Sequence, residues 1–126
     1  MSPRIRVLIA DDHRLFAEAL EAILAAEPRI EVAGRAHDGN EAVEQAFALK
    51  PDVILMDISM PNMDGVEAAK RIRSKRRRAC VVILTGSNSR EDVARAREAG
   101  AAAYVTKDRI ASQLIETILE VAPAPK

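Results

Sequence analysis

Val53-Ile54-Leu55-Met56-Asp57, followed by Met60-Pro61 and Asp64-Gly65, is the stretch that decides the fold. An unbroken apolar run of this length reads as a strand buried on both faces, and the acid that closes it then stands at the strand's carboxyl end. Open α/β sheets keep their chemistry at that end. The same grammar recurs in Val7-Leu8-Ile9-Ala10 before Asp11-Asp12, in Val81-Val82-Ile83-Leu84 before Thr85, and in Ala103-Tyr104-Val105 before Thr106-Lys107. The carboxylates of Asp11, Asp12 and Asp57, the hydroxyl of Thr85 and the ammonium of Lys107 are therefore expected along one edge of a sheet.

Working outward, strand-like and helix-like periods alternate, the pattern of repeated βα units wound into a parallel sheet. A first strand spans residues 5–10, and Leu15, Phe16, Leu20, Ile23 and Leu24 recur at helical spacing until Glu27-Pro28 stops the helix. Ile30-Glu31-Val32 alternates apolar with charged, so this second strand belongs at an edge. Asp38-Gly39-Asn40 supplies turn and cap chemistry for a second helix that Lys50-Pro51 ends. Asp64 is expected to cap a third helix, which runs into the basic stretch of residues 71–78, read as a solvated helix end that complements the helix dipole. Asn88-Ser89 opens a fourth helix closed by Gly100, and Asp108 is expected to cap a fifth built on Ile110, Leu114, Ile118 and Leu119. Right-handed crossovers give an α/β, flavodoxin-like, doubly wound sheet of five parallel strands in order 2-1-3-4-5 with five helices, which brings Asp11, Asp12 and Asp57 together at the switch point.

The chain has 126 residues, enough for one domain with a real core; residues 1–122 are read as that domain and 123–126 as the start of a linker or tail. Nineteen basic residues balance nineteen acidic ones, so no global field draws the chain to nucleic acid or an anionic membrane. The lone cysteine, Cys80, is read as a buried small hydrophobe and suits a reducing compartment. With no leader and no apolar run near the ~20 residues that span a bilayer, a soluble, cytoplasmic chain without membrane contact is expected. His13, at the start of the first helix, and His37, in a turn, are read as surface residues.

Clustered carboxylates stay ionised together when a cation sits among them, and oxygen-only ligands select a hard ion, Mg²⁺ before Zn²⁺. The expected ligands are Asp12, Asp57 and the backbone carbonyl of Ser59, with Asp11 assisting from behind. A carboxylate oxygen of Asp57 can then attack a phosphoryl group, with Lys107 as matching cation, Thr85 as hydroxyl donor and Gly86 leaving space for the phosphate.

This constellation resembles the receiver domain of two-component response regulators, CheY-like in fold, from Ile5 to about Val121. Asp11-Asp12 match the acidic pair, Asp57 the phosphorylated aspartate, Thr85 the switch hydroxyl, Tyr104 the switch aromatic and Lys107 the lysine; the segment Met60-Pro61-Asn62-Met63-Asp64-Gly65 matches as well. The resemblance implies a sensor histidine kinase as phosphodonor, slow loss of the phosphoryl group tuned by Ser59 and Ser87, and on phosphorylation either a homodimer or partner binding through the face of the fourth helix, fifth strand and fifth helix, with the surface of the first and fifth helices as the alternative. Ile9-Ala10-Asp11-Asp12-His13 and Lys107-Asp108, where many receivers have proline after the lysine, look like the nitrate-regulator-like branch. That branch usually carries a LuxR-type helix-turn-helix domain, so DNA binding is expected only through a C-terminal output domain outside this chain, in a transcription factor. A stand-alone receiver acting through protein contacts is the alternative. A Mg²⁺-dependent phosphohydrolase is more remote, because its acid/base aspartate would fall on Ser59. The receiver reading implies no enzyme beyond self-phosphorylation from small donors and slow self-dephosphorylation.

Overall fold

A computed structural model describes residues 4–58, 60, 63–76, 79–86 and 89–123. The chain alternates β1 (Ile5–Ala10), α1 (Arg14–Ala25), β2 (Ile30–Ala36), α2 (Gly39–Leu49), β3 (Val53–Asp57), α3 (Gly65–Lys75), β4 (Cys80–Thr85), α4 (Arg90–Glu98), β5 (Ala103–Thr106) and α5 (Ile110–Val121), with a 3-10 turn, Lys107–Arg109, between the last two. All strand pairs are parallel and the order is β2-β1-β3-β4-β5.

Period-two alternation divides the strand residues between two cores. Leu8, Ala10, Ile54, Met56, Val81 and Ile83 pack with side chains of α2, α3 and α4, including Ala42, Ala46, Ala69, Ile72 and Ala96. Val7, Ile9, Val53, Leu55, Val82, Leu84 and Val105 pack with α1 and α5 through Leu20, Leu24, Ile110, Leu114 and Ile118. Each fully buried aliphatic side chain contributes roughly 1.5–3 kcal/mol relative to exposure, and both faces of the central strands are filled this way.

The helix starts follow their caps. Asp38 accepts from the Glu41 N–H at 2.8 Å, Asp64 from Glu67 at 3.0 Å and Ser89 from Asp92 at 3.2 Å. Gly100 sits at φ +75°, the left-handed conformation that ends α4.

Four expectations need correction. Asp108 does not cap α5: it lies inside the 3-10 turn, and α5 begins after Arg109 with no side-chain cap, because the chain passes directly from β5 into that turn. The second strand continues past Val32 to Ala36. A register step carries it on, with Val7 opposite Val32 but Leu8 opposite Gly34. Cys80 is half-buried, its thiol donates to the Val121 carbonyl at 3.0 Å, and burial pushes its pKa up. The basic end of α3 is not merely solvated. Lys75 lies over the Phe47 ring at 5.8 Å and Arg76 donates to the carbonyls of Ala46 and Pro51, satisfying the C-terminal end of α2. Arg77 and Arg78 lie outside the described residues.

Candidate functional site

The carboxyl ends of β1 and β3 lie side by side, since Ala10 is paired with Met56 and the next residue on each strand is an aspartate. Asp57 continues the side of its strand that carries Val53 and Leu55, the side facing α1 and α5. Asp11 is 1 % exposed and Asp57 4 %. Burying carboxylates so deeply costs free energy unless positive charge meets them. Lys107 supplies it: its Nζ stands 3.4 Å from Asp57 Oδ2 and 3.7 Å from Asp11 Oδ2.

Asp11 is held by its own chain. The His13 N–H donates to Asp11 Oδ1 at 2.8 Å, closing an Asx turn that leads into α1, with His13 at its N-cap position. Asp11 Oδ2, fully buried, has no hydrogen-bond partner among the described residues. Asp12 is exposed, and His13 Nδ1 lies 3.7 Å from its Oδ1 and 3.8 Å from Asp11 Oδ1. One donor atom from each of Asp11, Asp12, His13 and Asp57 falls within 4.8 Å of the others. Three carboxylates against one ammonium leave the pocket short of positive charge. A divalent cation fits this donor set on two counts, the convergence of the oxygens and the buried Asp11 Oδ2 that accepts no hydrogen bond among the described residues.

Thr85 is also buried, 1 % exposed, but by the same alternation it continues the side of Val81 and Ile83, toward α4. Its hydroxyl donates to Asp92 Oδ2 in the first turn of α4 at 3.1 Å. Tyr104 is opposite Ile83 in the β4–β5 register. It is 42 % exposed and borders a groove of about 430 Å³ with Val93, Ala96 and Arg97 of α4. The aspartates and Lys107 are thus gathered on one side of the sheet edge, while Thr85 and Tyr104 belong to the α4 side. At Gly86 an added Cβ would meet no described atom within 4 Å beyond its chain neighbours, so among the described residues space lies beside Thr85. Ser59 and Ser87 lie outside the described residues.

Gly65, beyond Asp64, is the position where the loop after Asp57 returns. A Cβ there would stand 2.2 Å from the Asp57 carbonyl oxygen, and the Gly65 N–H donates to the Ile58 carbonyl at 3.2 Å. Absence of a side chain lets the start of α3 press against the backbone that carries Asp57. Sequence reasoning missed three neighbours of the site. His13 is exposed and Phe16 packs on the helix core, as expected, but their closeness to the aspartates and to Lys107 is not read from the sequence, and Asp92 is not singled out; Phe16 places its ring 4.6 Å from Lys107 Nζ. No local pattern announces that contact, since Lys107 reaches Phe16 from the far end of the chain.

Residues 7–119 match the response regulator receiver domain family, and the chain belongs to it. Among curated relatives it is 48 % identical over 113 residues to the transcriptional regulatory protein PdtaR of Mycobacterium tuberculosis, covering 90 % of this chain and 54 % of that protein. It is 34 % identical over 116 residues to the nitrate/nitrite response regulator NarL of Escherichia coli, covering 92 % and 54 %. The response regulator domain of Thermotoga maritima CheB superposes with a TM-score of 0.87 at 36 % identity over 94 % of this chain and 96 % of that one. The chain spans about half the length of the curated relatives it matches. Among the described residues no helix is long and apolar enough to cross a membrane.

Proposed function

We propose that this receiver domain accepts a phosphoryl group on Asp57, with Mg²⁺, from a sensor histidine kinase, and so regulates a DNA-binding transcription factor. One observation carries the reading: a single ammonium, Lys107 Nζ, stands within 3.7 Å of both buried aspartates at the ends of neighbouring strands. Asp57 Oδ attacks phosphorus as the bond from phosphorus to the donor's imidazole nitrogen breaks, giving an acyl phosphate on the protein and a free imidazole on the kinase. Lys107 holds negative charge on the phosphoryl oxygens, and Thr85 is the hydroxyl that can turn to them. Asp12, Asp57 and the Ser59 carbonyl would hold Mg²⁺, with Asp11 behind; when bound, the ion supplies Lewis-acid stabilisation of phosphoryl charge.

The new charge draws the Thr85 hydroxyl from Asp92, and Tyr104 moves into the space vacated. The face around Tyr104 then mediates self-association; sedimentation showing the same mass with and without beryllofluoride would contradict this step. Ser59 and Ser87 carry neither carboxylate nor amide to orient an attacking water, which favours a long-lived phosphoryl state over enzymatic turnover. The names of the relatives support a transcriptional role, with DNA bound by an output domain of the longer protein.

The test is a mass measurement after incubation with phosphoramidate and Mg²⁺. One added phosphoryl group is expected, absent in Asp57→Asn and Asp57→Ala. No adduct on the wild-type protein, or the same adduct on both variants, would overturn the assignment. Many turnovers of a phosphate ester per protein would favour the phosphohydrolase instead.

A further inference from the structure

Lys107 leaves the sheet in a 3-10 turn, and its ammonium must be brought back over the ends of β1 and β3. A lysine side chain is flexible, its ammonium is strongly hydrated, and 26 % of this one remains exposed, so the carboxylates compete with water for it. A third contact of another kind is present: Nζ lies over the ring of Phe16, 4.6 Å from its centroid. That is well inside the distance at which the negative face of an aromatic ring attracts a cation.

Phe16 is placed for this by its helix. It is the third residue of α1, half-buried against the core shared by α1 and α5, while its neighbour Leu15 is 80 % exposed. A leucine at position 16 would serve that core as an apolar filler. It would offer the ammonium no negative face.

We infer that Phe16 is a positioning residue for phosphoryl transfer, its ring fixing the Lys107 ammonium beside Asp57. The inference rests on the phosphoacceptor reading. Phosphoryl transfer depends on charges that are in place before the reaction, because an ammonium that must first be recruited from water adds its reorganisation to the barrier. The ring restricts Nζ to the side of the pocket where both aspartates reach it.

A double-mutant cycle tests this, with phosphorylation rates measured from phosphoramidate and Mg²⁺ on Phe16→Leu, Phe16→Tyr, Lys107→Ala and the Phe16→Leu/Lys107→Ala pair. Phe16→Leu is expected to slow the wild-type rate roughly tenfold, and Phe16→Tyr, which keeps the π face, to stay within about twofold. In the Lys107→Ala background Phe16→Leu should cost nothing further. In proton NMR the Lys107 ε-methylene signals should lie upfield in the wild type and in Phe16→Tyr, and return toward the free-lysine position in Phe16→Leu. Should Phe16→Leu fold poorly, Phe16→Met takes its place. Equal losses in both backgrounds, a Tyr variant as slow as the Leu variant, or unchanged ε-methylene signals would overturn the role given to Phe16. A wild-type protein that takes up no phosphoryl group would instead overturn the phosphoacceptor reading itself.

Discussion

Two glycines near the site behave oppositely as single residues. At Gly65 an added methyl would stand 2.2 Å from the Asp57 carbonyl oxygen and 3.0 Å from Ile58 Cα, so backbone must move. Overpacking of this kind costs about 1–3 kcal/mol. Gly65→Ala should therefore lower the unfolding free energy by that amount, read as a lower urea midpoint at unchanged slope, and slow phosphorylation, since the atoms displaced belong to the phosphoacceptor. Gly86→Ala meets no described atom within 4 Å beyond its chain neighbours, and its unfolding free energy should stay within roughly 0.5 kcal/mol of wild type. If the two variants unfold alike, the close approach of α3 to β3 is wrong. The same scale shows what a sequence can and cannot reveal. Asp11, Asp57, Thr85 and Lys107 were legible because each follows an apolar run that announces a strand end. The neighbours that hold them, His13, Phe16 and Asp92, lie at or just inside helix starts, where a polar or aromatic residue has many ordinary explanations.

Among the elements, α4 is attached differently from the rest. Of its residues only Ala96 is buried, and polar pins hold much of what remains. Thr85 donates to Asp92, Arg95 reaches Asp64 and the Ile58 carbonyl at 3.4 Å, and Lys70 meets Glu98 at 2.7 Å. The last is an exposed pair and contributes little, although Glu98 holds the Lys70 amine above its usual pKa. Thr85 to Asp92 is a part-buried pin, and a hydrogen bond to a charged acceptor contributes about 1.5–3 kcal/mol. Asp92→Ala should then speed amide exchange in α4 while leaving α1 and α5 protected. Uniform exchange across all helices would show that this pin does not govern the helix. Elements were legible to the extent that local chemistry fixes them: the caps at Asp38, Asp64 and Ser89 and the break at Gly100 needed no tertiary information. The register step in β2, the 3-10 turn at Asp108 and the use of Arg76 to satisfy α2 arise from pairing across the fold, which no local pattern records.

At the scale of the whole molecule, the strand order was legible because crossover handedness and one alternating edge strand leave few arrangements of five βα units. That order places a pocket with excess negative charge where β1 and β3 meet, so the native state carries repulsion that the unfolded chain, with its aspartates apart and hydrated, does not. A ligand that binds only the folded form stabilises it by mass action. Free Mg²⁺ at ten times its dissociation constant should add about 1.4 kcal/mol, which for a domain of 126 residues corresponds to a rise in Tm of roughly 4–7 °C. Excess chelator should reverse the rise, and Asp12→Ala or Asp57→Asn should abolish it while the metal-free proteins still melt cooperatively. Monovalent salt at matched ionic strength is the necessary control, because general screening would relieve the same repulsion without any site. If sodium chloride reproduces the full shift, or the variants respond to Mg²⁺ as the wild type does, the convergent carboxylates do not form a cation site.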